Sequence, residues 1–285
     1  MSNERVSRNP YHDGHDKPQL KQSVLIFMDI LGYAEMTSVA HNDGRAQEFL
    51  ENLYDVLAEG RRSLEEGYWL PEGLEGIVQK DRSYLKAFTD NIVIGLPIRD
   101  DAEIELGDAF SRVAEFQLTM AIHGFFVRGA ISLGSAYVDE IAVFGEALME
   151  AYKGEAYLAR DPRVILTASA VKSADIHLEY YGRGDHAPQV RDLLKDSDGQ
   201  WFVSYLEEIL IAEGERGPNY GALSQHKEAT ERKLAQYRDR PPIFSKYAWV
   251  ADYHNYFCDA YPQYSFDEYK IDTDIFRAPF QRIID

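Results

Sequence analysis

The stretch SVLIFMDI at residues 23–30 constrains the fold more than any other part of the chain. It is an apolar run of strand length, with a carboxylate, Asp29, just before its end. A strand without polar alternation belongs in the middle of a sheet covered on both faces, so it requires flanking strands and a helical layer. The stretch YLKAFTDNIVIGLP, residues 84–97, is predicted to fold back on itself as two such strands, with Thr89, Asp90 and Asn91 at the bend. Asp and Asn tolerate the backbone of tight hairpins, so the turn alone is enough to explain Asp90, unless a second acid lies close to it.

Between and after these strands the pattern is helical. Phe49, Leu50, Leu53, Tyr54 and Leu57 fall at helix spacing, giving two helices broken near Asn42-Asp43-Gly44. DDAEIELGDAFSRVAEFQLTMAIHG reads as a long helix, acidic at its N-terminus and ended by Gly124. FFVRGAISLG and AYVDEIAVFG read as two strands in hairpin relation, followed by a helix, EALMEAYKGEAYLARD, and a short strand, RVILT. The order β-α-α-β-β-α-β-β-α-β predicts an α+β, ferredoxin-like sandwich, with helices packed on a mainly antiparallel sheet. Residues 1–22 read as a mobile tail, 23–170 as the main domain and 171–285 as a mainly helical extension packed on the core. The aromatic KYAWVADYHNYFC is expected to dock on that core, with His254 structural, and Glu146, Glu150 and Glu155 to form a solvated helix face.

Charge narrows the function classes. The 285 residues carry a formal charge of -18, with a sequence pI near 4.8. That balance argues against a broad footprint for nucleic acid or for an anionic membrane, both of which need clustered Lys and Arg. Any phosphate must then be met by metal ions or by a few placed cations. A single cysteine, Cys258, allows no intrachain disulfide and favours a reducing, cytoplasmic setting. No apolar run reaches membrane-spanning length, and the polar start lacks a signal-peptide core. His12, Asp13, His15 and Asp16 in that start are read as ordinary tail residues.

Asp29 ends the first strand, and Asp90 tips a hairpin able to lie beside it. Two acids held close repel each other unless they are protonated or bridged by a cation, and carboxylates holding a pair of divalent ions are suited to phosphoryl chemistry. Gly32, just before a helix, would let a phosphate approach backbone N–H groups at the positive helix end.

At these residues the chain resembles the class III nucleotidyl cyclases. FMDILGY is similar to their F-x-D-I-x-G-F motif, and KAFTD to their K-x-x-G-D hairpin with Thr89 in place of glycine. VRGAISLG resembles their R-x-G-I-x-x-G strand, and VFGEALMEAYKGE lies where they have W-G-x-x-x-N-x-x-x-R. The likeness covers roughly residues 23–165, with the four motifs in order. It implies that Asp29 and Asp90 bind two Mg²⁺ or Mn²⁺ ions, with the Ile30 carbonyl as a further ligand, and that the backbone from Leu31 through Gly32 to Tyr33, together with Arg128, holds the triphosphate. It also implies a head-to-tail homodimer and a 3′,5′-cyclic nucleotide product. In the base-reading positions Lys86 fits the family lysine, but Ala142 replaces the second reader. Met149 replaces the transition-state Asn, and Lys153 the Arg. Lys153 keeps the positive charge without a planar fork.

These departures resemble the pyrimidine cyclases of the Pycsar antiphage system, which make cyclic UMP or cyclic CMP for a separate cyclic-nucleotide-binding effector. Lys86 suits carbonyl oxygens, and uracil offers two, so UTP is favoured over CTP. Phe49 or Tyr54 would fill the space left by a smaller base, or else belong to the core. An adenylyl or guanylyl cyclase, and a nucleotide-binding dimerisation module without turnover, remain as alternatives.

Overall fold

The computed structural model describes residues 9–66, 83–88, 90–211 and 217–276; Thr89 lies outside them. Strand β1 (Lys21–Ile30) is followed by helices α1 (Tyr33–Asn42) and α2 (Ala46–Glu66), then by the hairpin β2 (Tyr84–Phe88) and β3 (Asn91–Pro97). Helix α3 (Glu103–Ile122) leads into β4 (Val127–Val138), β5 (Val143–Phe144), α4 (Glu146–Lys153) and β6 (Val164–Leu166). The sheet order is β2-β3-β1-β4-β6, and only the β4–β6 pairing within it is parallel. The first four strands therefore have the antiparallel order of a ferredoxin-like α+β sandwich.

The apolar run is buried on both faces, as a central strand should be. Val24, Ile26, Met28 and Ile30 meet the main core with Leu53 and Val56 of α2 and Phe110, Val113 and Phe116 of α3. Leu25 and Phe27 point the other way, packing with Val93, Ala136 and Val138 beneath Ala147 and Ala151 of α4. Successive side chains on a strand alternate between faces, so Asp29 shares the α4 face with Leu25 and Phe27.

Two expectations change. FFVRGAISLG and AYVDEIAVFG are not two equal strands: β4 runs unbroken through Gly134, and β5 is only two residues long. A Cβ at Gly134 would stand 3.0 Å from Glu146 Cγ, so this glycine serves the close approach of α4 and not a turn. Residues 9–20 are not a loose tail. Tyr11 is fully buried and donates to Ser23 Oγ at 3.0 Å, while His12 bonds the Tyr137 hydroxyl at 3.0 Å. The C-terminal part is mainly helical, as expected, and also carries a hairpin. After α5 (Ala168–Tyr180) and α6 (Pro188–Asp192), a hairpin of β7 (Leu193–Lys195) and β8 (Trp201–Val203) extends the same sheet through Ile165 opposite Phe202. Its turn signal is Asp196-Ser197-Asp198-Gly199, with Gly199 at φ +87°.

Helices α7 (Tyr220–Gln236) and α8 (Pro241–Ala260) close the core. Between them His226 and His254, both fully buried, approach Nδ1 to Nδ1 at 2.9 Å. His254 Nε2 faces the Tyr269 carbonyl at 3.0 Å, and Tyr205 Oη faces His226 Nε2 at 2.9 Å. A carbonyl only accepts, which fixes the direction of the chain. His254 donates from Nε2, His226 donates from Nδ1, and Tyr205 donates to His226, with both rings neutral.

Candidate functional site

The register of β1 assembles the site. Asp29 lies opposite Asn91 of β3 and Arg128 of β4, so the hairpin bend carrying Asp90 adjoins the end of β1. The Ile30 N–H donates to the Asp90 carbonyl at 3.2 Å, fastening bend to strand, and Asn91 Nδ2 donates to Asp90 Oδ1 at 3.2 Å. Asp90 lies close enough to Asp29 to push its carboxyl pKa up. The two acids thus converge at one sheet end.

Their electrostatics follow from that closeness. Burial first, then the hydrogen bond to Asp90, pushes the Asp29 carboxyl up to about 6, against the opposing pull of Arg128. Arg128 Nε and Nη2 donate to Asp29 Oδ2 at 3.3 and 3.2 Å, and Nη2 lies 2.7 Å from Glu155 Oε1. Glu155 is itself buried, and burial raises its pKa despite Arg128. One guanidinium therefore spans two acids.

Glu155 reaches this place through a change of helix type. The predicted single helix over 146–161 is α4 followed by a π-helical turn, Gly154–Leu158. A Cβ on Gly154 would come within 2.8 Å of Ala130 Cβ and 3.0 Å of Thr167 Cγ2, so glycine lets the wide turn sit on the sheet. The expected solvated glutamate face is corrected accordingly. Glu155 faces Arg128, Glu150 accepts from the Ser169 N–H at 3.1 Å, and Glu146 accepts from the Ser135 N–H at 3.3 Å.

The oxygen donors fit a hard divalent ion. Asp29, which holds its proton more tightly than usual beside a second acid, presents with it the charge that Mg²⁺ or Mn²⁺ would neutralise. Among the described residues no three His, Cys, Asp or Glu side chains form a closed metal cage.

Gly32 takes φ +78° on open surface, and its carbonyl accepts from the Met36 N–H at 3.0 Å to start α1. The first amides of α1 consequently have no acceptor one turn back, which suits an anion. Leu31 departs from expectation: its N–H donates to the Phe126 carbonyl at 2.8 Å. The amides available to a phosphate thus begin at Gly32 and continue through Tyr33.

The expected base pocket is divided by the sheet. Lys86 lies opposite Val93, on the face where Ala142 packs. Tyr54 lines a cavity on the other face with Leu57, Arg61, Leu85, Ala87 and Asp90. Lys86 and Tyr54 of one chain cannot meet the same base. Phe49 is core, 6.0 Å from the Phe125 ring, whereas Tyr54 is 70% exposed. Lys153, in the last turn of α4, is exposed and forms no ion pair among the described residues. Arg128 neither stands free for a phosphate nor merely extends from an edge, because it pairs with Asp29 and Glu155. The isolated Gly154 inside a helical pattern is the local sign of a disturbed helix before Glu155, but it does not give the direction of that side chain.

No protein-family model and no curated protein matches the chain. Among solved structures it is similar to a class III adenylyl cyclase-like ATP-binding protein from Pseudomonas aeruginosa, at 12% identity and a TM-score of 0.42, over 58% of this chain and 37% of that one. It is also similar to the guanylyl cyclase Cya2, at 14% identity and a TM-score of 0.41, over 70% of this chain and 98% of that one. The chain thus spans little more than a third of the length of the first of these.

Proposed function

We propose that this protein is a metal-dependent nucleotidyl cyclase that converts a nucleoside triphosphate, with UTP favoured, into its 3′,5′-cyclic monophosphate and pyrophosphate. The observation that carries the reading is the convergence of Asp29 and Asp90 beside a helix start whose amides face open surface. Asp29 and Asp90 would hold the divalent ions, with the Ile30 carbonyl as a further ligand. Those ions, when bound, lower the pKa of the ribose 3′-hydroxyl and neutralise the departing pyrophosphate. The amides of Gly32 and Tyr33 orient the phosphate chain. Glu155 holds Arg128 beside Asp29, so the guanidinium stays at the site when an ion takes over the carboxylates.

Lys86 and Ala142 lie on the α4 face and read the base of a nucleotide bound between two copies of the chain. Lys86 donates to the carbonyl oxygens of uracil, and Ala142 leaves the exocyclic amine of adenine unpaired, which weakens purine discrimination by about 1–3 kcal/mol. Exposed Ile141, Phe144, Met149 and Tyr152 around α4 support a homodimer through that face. Lys153 then faces the partner's site. A cyclic pyrimidine nucleotide made this way serves as a second messenger for a separate effector, as in antiphage signalling.

A second reading, nucleotide binding without turnover, is favoured by Met149 and Lys153 at the positions of the family's Asn and Arg. Incubating the protein with Mn²⁺ and each of four labelled NTPs separates the readings. Cyclic UMP is the expected product. Cyclic CMP or a cyclic purine nucleotide would correct the base, and binding without product would establish the second reading.

A further inference from the structure

The C-terminal helices lie beyond every motif that brought the acids together, yet the start of α8 stands at the same sheet end. Arg240, the residue before α8, pairs with Glu35 in the first turn of α1, the turn that offers its amides to an anion. Two turns further on, the Tyr247 ring packs edge-on against Phe126 at 5.3 Å, and Phe126 is the residue whose carbonyl holds the Leu31 N–H. Trp249 lies 5.4 Å beneath the Arg163 guanidinium, and the Arg163 carbonyl accepts from the Gly129 N–H. The first turns of α8 are therefore tied to α1, to the lead-in of β4 and to β4 itself, on both sides of Arg128.

Lys246 lies between these anchors. It is half-buried and has no ion-pair partner among the described residues. Its charge is felt by Asp29 and Glu155 at the acid cluster and by Asp161 after the π-helical turn. Burial, reinforced by the positive charge of Arg128 and Arg160, lowers its pKa. A lysine next to Tyr247, whose ring packs on Phe126 two residues before Arg128, gains most from a polyanion that binds beside the acids.

We propose that α8 forms one wall of the nucleotide site and that Lys246 contacts the phosphates of the bound nucleoside triphosphate. The inference rests on the nucleotidyl cyclase reading and adds to it a cation from outside the cyclase-like segment. The start of α8 gives the C-terminal helices a direct part in substrate binding, with Arg240 positioning α1 from the same helix start.

The test measures binding to the full-length chain in the presence of Mn²⁺, using the α,β-methylene analogues of the four NTPs and inorganic tripolyphosphate. Lys246→Gln should weaken the best analogue and tripolyphosphate by the same factor, about tenfold or more, with an unchanged thermal midpoint. Lys246→Arg should restore most of that loss. An unchanged affinity in Lys246→Gln, or a loss that Lys246→Arg does not repair and that accompanies a lower thermal midpoint, would overturn the role of Lys246 while leaving the site in place. A parental protein that binds none of these probes would overturn the nucleotide site itself.

Discussion

Two regions of this protein bury ionisable groups, and they treat them in opposite ways. Around His226 and His254 every ring nitrogen has a partner of the correct kind, and both rings are neutral. Around Asp29 the acids are crowded together: Asp90 raises the Asp29 pKa, and one Arg128 is shared with Glu155. A closed neutral network adds stability and uniqueness to a core. An acid cluster held against its own repulsion costs stability and is retained where a ligand will neutralise it. The difference separates a part of the molecule that holds it together from the part proposed to bind a ligand.

The largest effect expected is on turnover. Asp29→Ala and Asp90→Ala should each lower cyclic-nucleotide production by about a thousandfold or more while the circular dichroism spectrum is unchanged, checked by product assay beside spectroscopy. His254→Ala should do the reverse. Leaving the His226 donor without an acceptor in the core is expected to cost about 2–4 kcal/mol in denaturant unfolding, with turnover per folded molecule retained.

Acidity sharpens the contrast, because the two regions respond with opposite sign. Burial lowers the His254 pKa to about 4 and holds that of His226 well below its usual range. The unfolded chain therefore binds protons that the folded chain refuses, and the histidine contribution to stability is present above about pH 6.5 and lost as pH falls toward 4. Asp29 has its folded pKa raised, so its penalty is absent below about pH 4 and grows as pH rises through about 6. Asp29→Asn should accordingly stabilise the protein at pH 8 by about 1–2 kcal/mol and leave it unchanged at pH 4, as followed by thermal unfolding. Smallest of all, Tyr205→Phe removes only the hydroxyl donor to His226 and should cost about 1 kcal/mol, with the acid end of the stability profile preserved.

The sequence made the acid region more legible than the histidine region, for a physical reason. Strand alternation and turn chemistry are local, so the burial of residues 23–30, the bend at Asp90 and the glycine ahead of α1 could each be inferred from adjacent residues. What joins them, the register of Asp29 between Asn91 and Arg128, follows from the strand order that those same elements imply. Glu155 was hidden because its inward direction depends on a π-helical turn made possible by Gly154 against Ala130, a contact between distant segments. Lys246 and the partners of His254 were hidden for the same reason, since helix spacing in an aromatic-rich segment does not say which element it will cover. The split between Lys86 and Tyr54 combines strand parity, which turns Lys86 away from Leu85 and Ala87, with the packing of α2 on the Leu85 and Ala87 face.

The central claim is that Asp29 and Asp90 hold divalent ions together, and Mn²⁺ binding measured by electron paramagnetic resonance, in the presence of a non-cleavable NTP analogue, tests it most directly. Both single alanine variants should lose the bound ion, and the double variant should bind no worse than either, as expected when two ligands serve one site. Mn²⁺ bound as tightly by Asp29→Ala or Asp90→Ala as by the parental chain would contradict it.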